Sequence, residues 1–336
     1  MKKVSVIGSG GWGTALAVML DKYGHDVTIW CRREEAAKAI KENGENSEYL
    51  PNIPVRETIK VTADDKEAVE NAEIVINAVP SKHVRTTMTR FSPILREGQI
   101  IVNVAKGLEG GTYLRLSQVI KECVPQCEVC TMVGPTHAEE VGKGIPTVCA
   151  VSCDNMATAK MVQSEFGNPT FRLYTNADTI GMEMGAALKN IIALAAGMSD
   201  GLGFGDNTKA ALITRGLAEI CRLGIAMGGK LETFMGLSGV GDLIVTCTSM
   251  HSRNRRAGIL LGQGKSLEET LAEVHMVVEG ANTAKAALMF SEKYNVDMPI
   301  IKAINEVLYE GKDARKAVIE LMMRSSKDEI NFLKNE

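Results

Sequence analysis

A short apolar run at the N-terminus leads directly into a glycine-rich loop and then into a helical pattern. The run covers residues 3–8, the helical pattern covers residues 11–23, and the loop between them reads Gly8-Ser9-Gly10-Gly11-Trp12-Gly13. Between a strand and a helix, Gly-x-Gly-x-x-Gly lets backbone N–H groups approach a pyrophosphate at the helix N-terminus. A purely structural glycine turn is the alternative. The position favours a dinucleotide-binding loop in which Gly8, Gly10, Gly11, Trp12 and Gly13 contact the cofactor.

The first half of the chain alternates strand and helix patterns. Continuous Val/Ile runs separated by helices indicate a mostly parallel sheet that is covered on both faces. We therefore predict an α/β fold of the Rossmann-like, doubly wound kind. The predicted strands are residues 3–8, 26–31, 59–62, 74–79, 99–105, 128–134, 146–152 and 170–174. The predicted helices between them are residues 11–23, 33–43, 81–91, 113–123 and 155–165.

After residue 174 the strand patterns stop and long helical patterns rich in Ala, Gly, Met and Leu follow. We place a domain boundary at Asn176. Residues 1–176 are predicted to form a dinucleotide-binding Rossmann-like domain, and residues 177–336 an all-helical substrate-binding and catalytic domain. The predicted helices are residues 177–198, 207–227, a region around 231–250, 266–274, 280–294 and 299–309.

Composition narrows the function classes. A chain of 336 residues with 45% hydrophobic residues and a net charge of -3 indicates a globular, nearly neutral protein. This balance, with only 4% aromatic residues, argues against nucleic-acid binding. We find no apolar run that approaches the roughly 20 residues of a membrane helix, and no signal peptide. A cytoplasmic protein without a membrane span is expected.

Three of the eight cysteines have a spacing that can ligate an iron–sulfur cluster. Cys123, Cys127 and Cys130 follow the Cys-x3-Cys-x2-Cys pattern. Cys130 falls in a predicted strand, however, and Cys123 ends a predicted helix, whereas cluster ligands favour an exposed loop. We therefore interpret these thiols as small buried hydrophobes of a reducing compartment, and we predict no metal site.

Two arginines follow the second predicted strand, where the cofactor ribose is recognised in this fold. An acidic residue there would bind a ribose 2′-hydroxyl, but the chain has Arg32 and Arg33. Guanidinium groups suit a 2′-phosphate, so we predict that NADPH is favoured and that NADH is possible. The alternative is a solvated helix start that carries charge without a ligand.

The helix predicted at residues 177–198 carries Lys189 among residues that are small or apolar nearly all round. A helix of this kind is buried. Burial of an ammonium is unfavourable and lowers its pKa, which is how lysines become acid–base groups. Lys189 is therefore our candidate catalytic residue.

Other polar groups are candidates for an anionic substrate. Lys106 follows a strand, at the end where ligands bind in open α/β sheets. The stretch Gly134–Ala138 offers backbone N–H groups, and its His137 is a weaker acid–base candidate than Lys189. Residues 252–256 (Ser-Arg-Asn-Arg-Arg) resemble a phosphate clamp at a helix start, or else a basic solvated turn.

Taken together, these motifs resemble those of the bacterial NAD(P)-dependent glycerol-3-phosphate dehydrogenases. They occur in the family's order over nearly the whole chain. The motifs are Gly8-Ser-Gly-Gly-Trp-Gly-Thr-Ala15, Ala105-Lys-Gly-Leu-Glu109, Gly134-Pro-Thr136, Leu188-Lys-Asn190, Gly239-Val-Gly-Asp242, Ser252-Arg-Asn-Arg255 and Val277-Val-Glu-Gly280.

The resemblance implies a role for each matching residue. Dinucleotide contacts would come from Gly11, Trp12, Arg32, Lys106, Ala138, Arg253, Val277 and Glu279. Arg33, next to Arg32, is a further candidate. Substrate contacts would come from Lys106, Gly134, Thr136, Lys189, Asp242, Ser252, Arg253 and Asn254. Lys189 would transfer the proton, oriented by Asn190 and Asp242. The family supplies sn-glycerol 3-phosphate for glycerophospholipid synthesis, and its members are often homodimers.

The residues and the resemblance agree on one reaction, the reduction of dihydroxyacetone phosphate, a small phosphorylated ketone, by NADPH or NADH. Two rival functions stay open. A hydroxyacid or sugar-acid dehydrogenase of related architecture would use the 252–256 cluster for a carboxylate. A non-catalytic NADPH-sensing protein would leave Lys189 and the arginine cluster without a role.

Overall fold

A computed structural model describes residues 1–274, 278–326 and 328–329 of the chain. The chain divides into two compact units. Unit 1 is Met1–Thr179 and unit 2 is Ile180–Glu336.

Unit 1 is built on an eight-stranded sheet in the order β10-β9-β8-β7-β6-β1-β2-β5. Neighbouring strands are parallel except β8 and β9, which are antiparallel. A separate two-stranded hairpin pairs β3 with β4. The strands are β1 Lys3–Ile7, β2 Asp26–Trp30, β3 Glu45–Asn46, β4 Leu50–Pro54, β5 Lys60–Thr62, β6 Ile74–Asn77, β7 Ile100–Asn103, β8 Glu128–Val133, β9 Thr147–Cys153 and β10 Phe171–Thr175.

Helices cover both faces of this sheet, which explains why its strands are apolar throughout. Two hydrophobic clusters lie on the two faces, one including Val4 and Val6 and the other including Ile7 and Val75. The predicted doubly wound, mostly parallel sheet is therefore confirmed. The helices of unit 1 are α1 Gly11–Lys22, α2 Glu34–Asn43, α3 Asp65–Val69, α4 Val84–Phe91, α5 Leu116–Cys123, α6 Ala138–Gly142 and α7 Met156–Phe166, with a 3-10 turn at Ser81–His83.

The described residues of unit 2 form helices joined by turns and loops, with no strand among them, as the sequence predicts. Its first helix, α8, begins at the last residue of unit 1. The helices are α8 Thr179–Gly201, α9 Asp206–Ala226, α10 Leu231–Phe234, α11 Asp242–Thr248, α12 Arg253–Gly262, α13 Leu267–Val274, α14 Glu279–Lys293, α15 Pro299–Tyr309 and α16 Ala314–Met322, with a π-helical segment at Leu237–Gly241.

Helix α8 corrects one sequence-based expectation. We expected no apolar segment of membrane-spanning length, but α8 has 23 residues and an 18-residue window of mean hydropathy 1.2. By length and composition alone it could cross a membrane. In the structure 94% of that window is buried inside the protein. A helix that is apolar all round and surrounded by protein is a core helix.

Glycines allow α8 and α12 to pack with their backbones in contact. A Cβ atom on Gly197 would lie 2.0 Å from the carbonyl oxygen of Arg255, and one on Gly258 would lie 2.0 Å from that of Leu194. Gly201 and Gly262, four residues further along each helix, are equally close to the partner helix. This close packing brings the first turn of α12 against the middle of α8, where Lys189 lies.

Several elements were not predicted. The β3–β4 hairpin, α3 and α16 are absent from the sequence interpretation, and the region around 231–250 breaks into α10, the π-helical segment and α11. The hairpin strands are short, and Pro51 and Pro54 interrupt any strand pattern. Periodicity over so few residues cannot distinguish a strand from a loop.

Candidate active site

The glycine-rich loop joins β1 to α1 and leaves the helix start open. Helix α1 begins at Gly11, and Gly10 precedes it as an N-cap without a side-chain hydrogen bond. The first N–H groups of the helix therefore have no capping side chain. Such an N-terminus favours an anion, because the N–H groups and the helix dipole both attract negative charge.

Three glycines of this loop fit where no larger residue could. Gly8 has a φ of 116°, and a Cβ on Gly13 would lie 2.1 Å from the carbonyl oxygen of Gly8. A Cβ on Gly11 would lie 2.7 Å from the carbonyl oxygen of Tyr49. Gly10 differs, since no atom lies within 4 Å of the position of its Cβ. The loop thus leaves open space at Gly10 and close packing on both sides of it, which fits a pyrophosphate bound at the helix start.

The β3–β4 hairpin supports this loop, a role that sequence reasoning missed. The buried Asn46 side chain donates from Nδ2 to the carbonyl oxygen of Ser9 and to Oγ1 of Thr14, each over 2.8 Å. These two bonds attach the hairpin to the loop and to the first turn of α1. An asparagine in an unremarkable polar stretch carries no sequence signal for such a long-range contact.

Arg32 and Arg33 lie at the carboxyl end of β2, and both are exposed. Nη2 of Arg33 is 3.4 Å from Oε2 of Glu48 in the turn between β3 and β4. Within the described residues no carboxylate pairs with Arg32. The pKa of His83 is lowered, first by burial, then by the positive charge of Lys82 and then by that of Arg32. Arg32 is therefore close enough to His83 for its charge to act on that imidazole.

Lys106, Gly134 and Thr136 come together where two neighbouring strands, β7 and β8, end. Nζ of Lys106 donates to the carbonyl oxygen of Gly134 over 2.9 Å and lies 3.5 Å from Oγ1 of Thr136. Parallel strands end at the same edge of a sheet, which is why residues so far apart in sequence meet here. The three predicted substrate-contacting residues of unit 1 therefore form one group.

His137 and Ala138 lie at the start of the short helix α6. His137 precedes the helix with extended backbone geometry, and Ala138 is its first residue. The Ala138 Cβ lies 3.6 Å from the Cβ position of Gly11. Ala138 therefore adjoins the glycine-rich loop, near the predicted contact residue Trp12.

Lys189 is buried on α8, and polar side chains of α11 accept hydrogen bonds from it. It is 4% exposed, and its Nζ donates to Oδ1 of Asp242 over 2.6 Å and to Oγ1 of Thr246 over 2.5 Å. A charged amine in such a place needs a counter-charge and hydrogen-bond acceptors. Both are supplied by the first two turns of α11. Thr246 also donates to the backbone carbonyl oxygen of Asp242 over 2.6 Å.

Thr246 was not predicted as a site residue, although a signal existed. Asp242 and Thr246 are four residues apart, so they lie on one face of a helix. The sequence pattern predicts a helical region around 231–250 but gives no helix boundaries there, so the four-residue spacing of Asp242 and Thr246 was not used. Cys247, next in the chain, is a neutral thiol at neutral pH, because burial raises its pKa to about 12.

Asn190 has a different partner from the one expected. It does not bond Lys189, but accepts at Oδ1 from Nδ2 of Asn254 over 3.0 Å. Oδ1 of Asn254 in turn accepts from the backbone N–H of Gly280 over 2.9 Å. This relay fixes the first turns of α12 and α14 beside the middle of α8.

The arginine cluster at the start of α12 has two parts. Ser252 caps the helix by accepting from the backbone N–H of Arg255 over 3.2 Å. The Arg255 guanidinium pairs with Asp200 at 2.8 Å and donates to the carbonyl oxygen of Thr248 over 2.6 Å. Arg255 is therefore structural, whereas Arg253 is exposed. Of the predicted phosphate clamp, Ser252, Arg253 and Asn254 form the helix start.

The resemblance also implies dinucleotide contacts from Val277 and Glu279. Glu279 is the first residue of α14 and is half-buried. Val277 lies outside the described residues. Glu279 directly precedes Gly280, and the backbone N–H of Gly280 donates to Oδ1 of Asn254 at the start of α12.

The three closely spaced cysteines have separate partners. Cys123 donates to a backbone carbonyl of α4 over 3.8 Å, and Cys127 donates to the carbonyl oxygen of Arg96 over 3.4 Å. Cys130 lies opposite Cys153 in the β8–β9 pair, and its thiol is hydrogen-bonded to that of Cys153. The arrangement suits buried thiols rather than ligands of one cluster.

A mostly parallel sheet with a glycine-rich first turn, together with a helical unit that buries a lysine–aspartate pair, defines a two-domain oxidoreductase that uses a dinucleotide. Family comparisons agree. The model described as the NAD-dependent glycerol-3-phosphate dehydrogenase N-terminus matches residues 3–159, and the model of the C-terminus matches residues 178–319. The chain belongs to the NAD-dependent glycerol-3-phosphate dehydrogenase family, as its motifs predict.

Individual relatives are similar over their full length. The glycerol-3-phosphate dehydrogenase [NAD(P)+] of Fusobacterium nucleatum is 57% identical over 98% of this chain and 99% of its own. That of Moorella thermoacetica is 54% identical over 98% of both chains. The crystal structure of the Coxiella burnetii glycerol-3-phosphate dehydrogenase has a TM-score of 0.92 at 36% identity, covering 96% of this chain and 99% of its own.

Proposed function

We propose that this chain reduces dihydroxyacetone phosphate to sn-glycerol 3-phosphate, with NADPH favoured and NADH possible as the reductant. The observation that carries the proposal is the buried Lys189, held by Asp242 and Thr246 in a member of this family. The similar glycerol-3-phosphate dehydrogenases of Fusobacterium nucleatum and Moorella thermoacetica are named for use of NAD(P)+.

The cofactor would be held by unit 1. The open helix start at Gly10 and Gly11 would bind the pyrophosphate, with Trp12 and Ala138 beside it. Arg32 and Arg33 would recognise the 2′-phosphate. When bound, the nicotinamide supplies a hydride for the ketone carbon. This assignment makes residues 1–176 the dinucleotide-binding domain.

Lys189 would protonate the oxygen of the ketone. As the carbonyl carbon gains a hydride, negative charge develops on the oxygen, and an ammonium at that position stabilises the charge and donates its proton. The amine then regains a proton from solvent. Asp242 holds the ammonium by its opposite charge, while Thr246 restricts the direction of Nζ. In the reverse reaction the neutral amine acts as the base.

The phosphate of the substrate would be bound by side chains at the start of α12. Arg253 is exposed there, beside the buried Ser252 and Asn254. Guanidinium and amide groups bind phosphate oxygens, and this binding energy positions the carbonyl for reaction. Gly134 and Thr136, with Lys106, would contribute further substrate contacts. Lys106, Arg253, Val277 and Glu279 would also contact the dinucleotide.

The assignment has consequences outside the site. Residues 177–336 become the substrate-binding and catalytic domain. The product would supply glycerophospholipid synthesis, the enzyme would act in the cytoplasm, and it would form a homodimer. Nucleic acid is not an expected partner, given the net charge of -3.

The decisive experiment is loss of NADPH absorbance when dihydroxyacetone phosphate is added to the purified protein. A panel of small 2-keto and 3-keto acids, offered in parallel, tests the rival hydroxyacid dehydrogenase. Preference for a keto acid over dihydroxyacetone phosphate would overturn the proposal. Binding of NADPH without oxidation by any ketone of the panel would instead favour the sensing protein.

A further inference from the structure

The turn of the β3–β4 hairpin places a carboxylate beside the cations that end β2. Glu48 lies in this turn, and its Oε2 is 3.4 Å from Nη2 of Arg33. The Tyr49 hydroxyl donates to the same carboxylate, and this hydrogen bond is the main reason why the pKa of Tyr49 is raised. Glu48 thus touches one of the two arginines proposed to bind a 2′-phosphate.

The position of this carboxylate is fixed by the loop that binds the dinucleotide. Asn46, two residues before Glu48, is bonded to Ser9 and Thr14. Tyr49, one residue after it, has its carbonyl oxygen 2.7 Å from the Cβ position of Gly11. Contacts on both sides therefore hold Glu48 at the edge of the glycine-rich loop, independently of its bond to Arg33.

We propose that Glu48 is a cofactor-specificity residue that weakens recognition of the 2′-phosphate and so allows NADH to compete with NADPH. The inference rests on the proposed function. Two effects act in the same direction. The carboxylate occupies a guanidinium that would otherwise bind the phosphate, and its charge repels a group that carries about -1.5 to -2 charges.

The ion pair is suited to competition rather than to a permanent structural role. The side chains of Arg33 and Glu48 are 55% and 58% exposed, and their contact is a single long one. An exposed pair of this kind contributes little to stability, so a phosphate can displace it. Arg32 has no carboxylate partner in the described part of the chain and stays available, which keeps NADPH a good ligand.

The test compares Glu48→Gln with Glu45→Gln in the same hairpin. Both substitutions remove one negative charge. Among the described residues, however, the Glu45 carboxylate bonds within the hairpin, to Oγ of Ser47 over 2.6 Å and to the backbone N–H of Asn52 over 3.1 Å. Dissociation constants for NADPH and NADH are measured by fluorescence titration, without substrate, at low and high ionic strength.

Glu48→Gln should raise the NADPH preference, expressed as the ratio of the two dissociation constants, by about five-fold, equivalent to roughly 1 kcal/mol. The gain should shrink at high salt, because these charges are exposed to solvent. Glu45→Gln should leave the ratio unchanged. An unchanged or lower ratio in Glu48→Gln, or an equal gain in Glu45→Gln, would overturn the inference.

The titration separates this inference from the proposed function. If the unaltered protein binds both dinucleotides but fails to reduce dihydroxyacetone phosphate, the proposed function is wrong and the role of Glu48 is still measured. If the unaltered protein binds neither dinucleotide, both are wrong.

Discussion

Nζ of Lys189 lies 2.6 Å from Oδ1 of Asp242, and the two side chains are 5% and 1% exposed. A charge this deeply buried is tolerated only when it is paired, and removal of one partner leaves the other uncompensated. The ion pair therefore stabilises the packing of α8 against α11, in addition to its proposed role in proton transfer. Any substitution at Lys189 must separate an effect on chemistry from an effect on folding.

Lys189→Ala should abolish most of the turnover while NADPH still binds, because Lys189 is not among the residues proposed to contact the dinucleotide. The variant should also be less stable by about 3–5 kcal/mol, since the Asp242 carboxylate stays buried without its cation. Steady-state kinetics, NADPH titration and urea unfolding measure the three effects. Near-normal turnover would remove Lys189 from the mechanism.

The double variant Lys189→Met, Asp242→Asn is the control for folding. It removes both charges and so should recover much of the lost stability. Turnover should stay as low as in Lys189→Ala. If the double variant recovered turnover together with stability, the role of Lys189 would be structural.

Thr246→Val should lower the turnover number about ten-fold with little change in the Michaelis constant for NADPH. Valine has nearly the same shape but cannot accept the hydrogen bond from Nζ of Lys189, so the amine loses one of the acceptors that fix its direction. Thr248→Val on the same helix is the matched control, because Thr248 is exposed and its hydroxyl donates to the carbonyl oxygen of Ile244 within its own helix. Equal effects of the two substitutions would contradict a positioning role for Thr246.

The contrast between Asp242 and Thr246 shows what could be predicted from the sequence. Strands β1, β2, β6, β7 and β8 were predicted because buried parallel strands are continuous apolar runs, and Lys189 was predicted because a lone lysine interrupts an apolar helix. Asp242 was found through a family motif. Thr246 was missed because its role depends on helical geometry in a region where the helix boundaries were not resolved.

Other features depend on tertiary contacts alone. The hairpin that carries Asn46 and Glu48 has strands too short for a periodic pattern, and its bonds to Ser9 and Thr14 join residues more than 30 positions apart. Arg253 and Arg255 differ in role because Asp200, near the C-terminal end of α8, pairs with Arg255. The sequence showed that the arginines are close together along the chain, but it could not show which side chains they pair with in the fold.

Arg253→Ala should raise the Michaelis constant for dihydroxyacetone phosphate at least ten-fold with a smaller effect on turnover. An exposed guanidinium at a helix start binds phosphate in both the ground state and the transition state, so its loss weakens binding uniformly. Arg255→Ala is the matched comparison in the same turn. It should chiefly lower the melting temperature, because it breaks the ion pair with Asp200. A fall in turnover alone for Arg253→Ala would contradict the phosphate role.

Gly10→Ala and Gly13→Ala should separate cofactor binding from folding. A methyl group on Gly10 meets no protein atom within 4 Å, and the φ of -72° suits alanine, so stability should not fall. The methyl group would occupy the space proposed for the pyrophosphate, and the NADPH dissociation constant should rise about ten-fold. In Gly13→Ala the methyl group would lie 2.1 Å from the carbonyl oxygen of Gly8, so both stability and affinity should fall. Unchanged affinity in Gly10→Ala would place the pyrophosphate elsewhere.

Glu219 should make the stability of unit 2 depend on pH. Its carboxylate is fully buried on α9 and accepts from the backbone N–H groups of Ile300 and Ile301, at the start of α15, over 2.7 and 3.1 Å. Burial raises the pKa of Glu219 to about 7, against the opposing effect of these two bonds and of the nearby Arg222. A carboxylate with hydrogen-bond and charge partners usually has a lowered pKa in the folded protein, whereas the pKa of Glu219 is raised.

The sign of the effect follows from proton linkage. Between its ordinary pKa of 4.5 and about 7, Glu219 binds more protons in the folded than in the unfolded chain. Stability should therefore fall as pH rises through this range, by up to about 3 kcal/mol, and level off above it. Urea unfolding at pH 5, 6, 7 and 8 measures the slope. Glu219→Gln should flatten it, because the amide does not titrate, whereas Glu320→Gln at the surface should not. An equal slope in Glu219→Gln and the unaltered protein would mean that another group titrates in this range.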